Sequence, residues 1–271
     1  MGLVPTSWAG RLRTWRMHRL VSTYKPHDVV HQYGTGKLTV HLADPLGKGW
    51  YDHEWPDLHE IAWLRRRAFR PGGIVFDIGA HQGVVAMMIA REVRPDGKVI
   101  AVEANAHNAT VARRNHQLNG CDDIVVIDAA IADHDGELTF NEGLNGQVDQ
   151  GDGAWGQVKV RAVRIDTLTE QYGRPDVLFI DVEGFELLAL RGGEETLKHR
   201  PHAFVEVHVG CGLEKFGGTV AAVFDYFPSE FYEWFGRPDD ATDFVPIQPG
   251  HPLTADRFFL LALRRDPIAN S

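Results

Sequence analysis

Short apolar runs alternate with amphipathic segments through the middle of the chain, and this alternation predicts an α/β fold. Ile74 to Asp77 reads as a buried strand, 82 to 93 as a helix, 99 to 103 as a strand, 106 to 118 as a helix and 124 to 128 as a strand. Strands that are apolar throughout and separated by helices belong to a parallel sheet covered on both faces. Glu137 to Asn141 and Gln157 to Arg164 alternate like a strand pair, joined by a Gly-rich stretch that carries Trp155. Asp166 to Tyr172 is then a short helix, Val177 to Asp181 a strand, Phe185 to Arg191 a helix and Ala203 to His208 a strand. A helix around Val220 to Phe227 precedes two further runs, Phe231 to Phe235 and Arg257 to Leu263, which close the sheet as an antiparallel pair. The pattern is a doubly wound, mostly parallel seven-stranded sheet.

The regular alternation begins only at Gly73. Residues 1 to 70 therefore read as an N-terminal extension of helix and strand, a contact for an acceptor or for a second copy in a homodimer, and 71 to 271 as the main domain. Trp8, Leu12, Trp15 and Leu20 nearly share one helical face, with Arg11, Arg13, Arg16 and Arg19 interleaved. Such a helix packs on its own domain or on a second subunit, or lies on a membrane surface. Trp55 to Phe69 reads as another helix, ended by Pro71-Gly72-Gly73.

The segment IVFDIGAHQG, Ile74 to Gly83, is a strand that ends in Asp77 and turns through Gly79, Ala80 and Gly83 into a helix. Glycines there let the backbone turn sharply and approach a ligand, while the helix start offers unpaired N–H groups. The next strand, KVIAVE, ends in Glu103, where a strand-helix-strand unit holds the hydroxyls of a ribose. The spacing is Gly-x-x-x-Gly with an acid two residues ahead, not the Gly-x-Gly-x-x-Gly of a pyrophosphate binder. An Asp aimed at the ligand suits a cation, and S-adenosylmethionine carries ammonium and sulfonium charges.

Composition removes several alternatives. The 28 basic and 37 acidic residues leave a net charge of -9, which repels a nucleic-acid backbone. The two cysteines, Cys121 and Cys211, make neither a disulfide scaffold nor a zinc site, and point to a reducing cytoplasm. No apolar run is long enough to span a membrane.

In an open α/β sheet the ligand lies at the carboxyl ends of the strands. The residues there are unusually acidic: Asp77, Glu103, Asp128, Asp181 with Glu183, and Glu206 beside His208. Asp77 faces the amino-acid part of the cofactor, Glu103 its ribose, and Asp128 or Ala129 its adenine. Asn105 either supports the ribose region or caps the following helix, and Asn108 does one or the other. His208 is the first choice of general base, since imidazole titrates near neutrality and sits beside Asp181. The same residues support a second scheme, in which Asp181, Glu206 and His208 hold a divalent metal, magnesium or manganese in preference to zinc. Glu183 assists either arrangement or starts the next helix.

From Gly73 to Val209 the chain resembles the FkbM-type S-adenosylmethionine-dependent methyltransferases, through FDIGAHQG, VIAVEAN, VARRNHQLNG, IDAAIADHDGELTF, LFIDVEGFELLALRGG and RPHAFVEVH. The IDVEG segment with ELLALRGG is the most specific match, whereas the glycine turn is shared by many methyltransferases. The resemblance implies a Rossmann-like class I methyltransferase fold and methyl transfer to hydroxyls of sugars, polyketides and related small molecules. A carbohydrate or glycoside hydroxyl is the expected acceptor, bound by Glu183, Glu206 and Trp155, with a polyketide hydroxyl as the alternative if the N-terminal region builds a broad apolar wall. A nicotinamide-dependent dehydrogenase would want a third glycine in the turn, and a DNA amino methyltransferase Asn/Asp-Pro-Pro-Tyr, neither of which is present. A silent binding protein on this fold has no reason to keep Asp77, Glu103, Asp181, Glu206 and His208 together.

Overall fold

The computed structural model describes residues 8–141, 147–148, 157–238, 241–248 and 257–265. An N-terminal helix, α1 (Trp8–Thr23), leads into the antiparallel hairpin β1 (His27–Tyr33) and β2 (Gly36–Leu42), then α2 (Pro45–Tyr51) and α3 (His59–Arg67). The predicted helix from Trp55 is shorter than expected, because Trp55 is taken by a backbone bridge to Tyr33. The alternating units follow as β3 (Ile74–Ile78), α4 (Val84–Val93), β4 (Lys98–Glu103), α5 (Ala106–Leu118) and β5 (Ile124–Asp128).

A side sheet then forms from β6 (Ala130–Ile131), β7 (Gly136–Asn141), β8 (Gln147–Val148) and β9 (Gln157–Val163), with β7 and β9 antiparallel as the alternation predicts. Its sheet is separate, in the order β6-β9-β7-β8. Trp155 and the glycines around it lie outside the described residues. The main layer resumes with α6 (Ile165–Tyr172), β10 (Val177–Ile180), α7 (Glu186–Arg191), α8 (Glu194–Leu197) and β11 (His202–Val207). After α9 (Val220–Phe224) come β12 (Tyr232–Pro238), β13 (Val245–Pro246) and β14 (Phe258–Arg264).

The main sheet has eight strands in the order β13-β12-β14-β11-β10-β3-β4-β5. Seven are those expected; the eighth, β13, is a two-residue edge strand that pairs Val245 and Pro246 with β12. The strands from β11 to β5 are parallel, and β14 runs antiparallel between β11 and β12. The order reverses between β3 and β10, which opens a crevice at their carboxyl ends. One apolar layer lies on each face of the sheet, and Met87 with Ile89 lead one, Leu178 with Leu190 the other.

The N-terminal segment does not stand apart. Tyr33, Leu38, Val40 and Leu42 of the hairpin are buried in the same core layer as Val84 and Met87 of α4. The backbone of β2 is held by α5, since the N–H groups of Thr39 and His41 donate to the side-chain oxygens of Asn119 and Asn115 at 2.9 and 2.7 Å. By contrast, Leu12, Trp15 and Leu20 of α1 are exposed among the described residues. Among the described residues no helix is long and apolar enough to cross a membrane.

Candidate active site

Two turns from neighbouring strands build the floor of a cavity of about 460 Å³. The first follows β3. Asp77 is buried near the end of that strand, and Gly79 turns the chain with φ +92°, where a Cβ would sit 1.7 Å from the carbonyl oxygen of Asp181. Only glycine allows this approach and this backbone conformation. His81, next but one in the turn, also adopts a positive φ of 48°. The second turn follows β10 and carries Asp181 and Glu183, the latter at φ +49°. Left-handed residues in both turns indicate local strain held in place by the surrounding packing.

Asp77 and Glu103 share one side of the cavity. Asp77 Oδ2 is buried and meets no hydrogen-bond donor among the described residues. Burial and the nearby Glu103 charge push its carboxyl up to about 7. Glu103 is likewise pushed up to about 7 by burial, although it accepts backbone N–H groups of His81 and Asn105, each at 2.8 Å. Two adjacent carboxylates, one without a donor, form a site that demands a cationic or hydroxyl-bearing ligand.

Of the residues expected at the cofactor, Asp77, Gly79, Ala80, Glu103, Ala129 and Asp181 line the cavity. The other three lie beside it. Gly83 is the left-handed cap that starts α4, and Asn105 caps α5 by accepting from the N–H groups of His107 and Asn108. Asp128, at the end of β5 opposite Glu103, is exposed.

The other half of the crevice gathers Asp181, Glu183, Glu206 and His208. One ligand atom from each of Asp181, Glu206 and His208 lies within 4.8 Å of the others. His208 Nε2 is 3.8 Å from Asp181 Oδ1, 3.6 Å from Glu206 Oε1 and 3.5 Å from Glu183 Oε2. On the opposite edge of the ring, Nδ1 donates to the fully buried Glu186 at 2.6 Å. Glu186 also accepts from Gly184 N–H at 2.8 Å. Burial disfavours the charged imidazole, yet Glu186, Asp181 and Glu183 outweigh it and raise His208 to about 9. Burial and the Glu206 charge push the Asp181 carboxyl well up, even though 42% of the side chain opens onto the cavity. Burial raises Glu206 too, against the pull of His208 and Arg257.

Several lining residues carry no signal in the sequence. Trp50, Tyr51, Trp55 and Leu58 of the N-terminal segment form an aromatic wall over the glycine turn, and Tyr51 O–H lies 2.6 Å from His81 Nδ1. The buried Asp44 ties this wall to the turn, accepting from Gly47 N–H at 2.8 Å, Gln82 Nε2 at 2.8 Å and the His107 ring at 2.9 Å. Burial presses His81 down to about 4, so its imidazole is neutral. Arg237 and Arg257 line the far side. Glu186, in the first turn of α7, is a further residue that the sequence reading missed, because its partner His208 follows a different element, β11.

A sheet with this strand order, an acid-flanked glycine turn at its switch point and a second acid ending the next strand define a class I methyltransferase. The chain belongs to the FkbM methyltransferase family: the methyltransferase FkbM domain matches residues 77–227. S-adenosylmethionine is the cofactor of this family, and Asp77 Oδ2 without a donor beside Glu103 fits its ammonium and ribose.

A protein-L-isoaspartate O-methyltransferase of Methanopyrus kandleri is 41% identical over 119 residues, covering 44% of this chain and 51% of that protein. The crystal structure of methyltransferase FkbM from Methylobacillus flagellatus has a TM-score of 0.47 at 15% identity, over 71% of this chain and 44% of that one. A SAM-dependent O-methyltransferase from Thermotoga maritima has a TM-score of 0.45 at 15% identity, over 88% of this chain and 79% of that one. The chain thus spans about half the length of the curated relative it matches, 51%.

Proposed function

We propose that the protein is an S-adenosylmethionine-dependent O-methyltransferase of a small hydroxylated acceptor, a carbohydrate or glycoside. The observation that carries the reading is the buried, donorless Asp77 Oδ2 on a glycine turn beside Glu103. When bound, S-adenosylmethionine supplies a methyl group that is already activated for in-line displacement. What remains for the protein is to place an oxygen in line and to take its proton.

Asp77 would hold the cofactor's ammonium and Glu103 its ribose hydroxyls, over the half of the sheet formed by β3, β4 and β5. The acceptor then lies over β10, β11 and β14, where Asp181, Glu183, Glu206 and His208 converge. His208 carries a proton at neutral pH as it stands, because carboxylates surround it. A protonated imidazole is a poor base, and with Nδ1 donating to Glu186 its Nε2 is better suited to hold a metal than to take the acceptor's proton. This favours the scheme in which Asp181, Glu206 and His208 hold magnesium or manganese, with Glu186 fixing the ring so that Nε2 faces the site. A divalent cation held there would lower the pKa of an acceptor hydroxyl, and Glu183, outside the ligand set, would be placed to take the proton.

Glu183 and Glu206 supply acceptors for sugar hydroxyls. The wall of Trp50, Tyr51 and Trp55 supplies aromatic faces, and it equally favours the second reading, a hydroxyl on a broader natural product. The test is release of S-adenosylhomocysteine with mono- and oligosaccharides against macrolide-type alcohols, catechols and an isoaspartyl peptide, the last prompted by the archaeal relative's name. Turnover with only the non-sugar members would refute the carbohydrate reading.

A further inference from the structure

Arg237 on β12 and Arg257, just ahead of β14, line the cavity on the side away from the glycine turn. Their guanidinium carbons lie 4.1 and 5.8 Å from the centroid of one ring, Phe259. Arg257 is 3.1 Å from Glu206, and so reaches the catalytic carboxylates.

Arg237 is poorly served by its own chain. Its side chain is 12% exposed, its contact with Glu60 is 3.7 Å long, and its bond to the Ala241 carbonyl is 3.4 Å. Its buried Nε meets no acceptor among the described residues. Glu60 is a weak counter-ion, since burial pushes its carboxyl up against the pull of Arg237. A guanidinium offers five donors in a planar fork, and one held nearly dry with long contacts is stabilised by an anion that enters from the cavity.

We propose that Arg237 and Arg257 form an anion subsite, so that the acceptor is a hydroxylated molecule bearing a carboxylate or phosphate close to the hydroxyl that is methylated. The inference rests on the methyltransferase reading and narrows its acceptor. Its geometry separates the subsite from the cofactor: Asp77 and Glu103 end β3 and β4, whereas the arginines belong to β12 and the approach to β14, on the other side of β10 and β11. Phe259 lies within cation–π range of both guanidiniums, which helps hold them on one side of the cavity.

The experiment is calorimetry on the full chain saturated with S-adenosylhomocysteine, titrated with D-glucuronate, D-glucose 6-phosphate and D-glucose. At least one anionic sugar is expected to bind about 10-fold or more tightly than glucose, the size of a charge-assisted contact. Which of the two does so tells carboxylate from phosphate. Arg237→Gln should remove the preference and leave S-adenosylhomocysteine affinity within about twofold, since β10 and β11 separate it from Asp77 and Glu103. Anions that bind no better than glucose, or a preference that survives Arg237→Gln, overturn the inference. So does a large loss of S-adenosylhomocysteine affinity in Arg237→Gln, which would assign the guanidinium to the cofactor's own carboxylate. If that variant does not fold by circular dichroism, Arg257→Gln takes its place with the same readouts. Wild-type protein that fails to bind S-adenosylhomocysteine fails the methyltransferase reading itself, a result distinct from loss of the anion preference alone.

Discussion

His208 Nδ1 lies 2.6 Å from Oε1 of Glu186, a carboxylate with no solvent exposure. The pair fixes which ring nitrogen points into the crevice. On the proposed mechanism Glu186 then positions His208 without itself touching the acceptor. Glu186→Gln should therefore lower turnover about 10- to 100-fold with cofactor affinity nearly unchanged, as losses of such outer partners do. An imidazole titration by NMR adds a readout that a purely structural role would not move: the His208 pKa should fall from about 9 once the neutral amide replaces the carboxylate.

If His208 acts on the acceptor as proposed, His208→Ala should lose about 100-fold or more in turnover while still binding S-adenosylhomocysteine. Chelation divides the two schemes. Activity abolished by EDTA and restored by magnesium or manganese establishes the metal site of Asp181, Glu206 and His208, and activity indifferent to both leaves a base acting alone.

Asp77 and Glu103 set a pH dependence of a definite sign. Both carboxyls are pushed up to about 7 in the folded chain, whereas an unfolded chain releases those protons near pH 4. Between these values the folded state holds more protons, so the ligand-free protein loses stability as pH rises from about 4 to about 7. A cationic ligand acts in the opposite sense, and S-adenosylmethionine affinity should rise with pH through about 7. Calorimetry between pH 5.5 and 8 checks this; an affinity flat across that range would contradict the role of the pair, and Asp77→Asn should reduce the slope. Glu103→Ala should weaken cofactor binding by about 1 to 3 kcal/mol through lost charged hydrogen bonds, with NAD bound by neither protein.

Gly79→Ala places a Cβ 1.7 Å from the Asp181 carbonyl at a φ of +92°. The two turns would have to separate, moving Asp77 and Asp181 together. Destabilisation of about 2 kcal/mol or more is expected, with cofactor binding lost in whatever folds, as thermal melting with and without S-adenosylhomocysteine would show. Gly72→Ala, with φ +77° but open space around the added methyl, is the control for backbone strain alone.

The central layer was legible because each strand is an unbroken apolar run and each helix is amphipathic, a signal carried by neighbours in the chain. Ala106–Leu118 and Ile124–Asp128 fall where the periodicity places them. The helix expected from Trp55 was overestimated for the opposite reason: its apolar residues continue the pattern, but Trp55 bonds to Gln32 and Gly34 across the hairpin. The two-residue β13 has too few residues to show any period.

What the sequence by itself determined is the sheet, the glycine turn and the acids at the strand ends, since a fold of this class sends every carboxyl end of its parallel strands to one edge. Asp77, Glu103, Asp181 and Glu206 could be placed on one crevice from position alone. Only the tertiary structure decided which acid faces which partner. That Glu186 rather than Glu183 grips His208 Nδ1 depends on how the turn after β10 folds, and that Arg237 meets Phe259 depends on the pairing of β12 with β14. The aromatic wall of Trp50, Tyr51 and Trp55 comes from a segment outside the alternating pattern, brought over the glycine turn by the buried Asp44. Electrostatic and packing partners far apart in the chain leave no periodic trace, because what selects them is the burial that the completed fold creates.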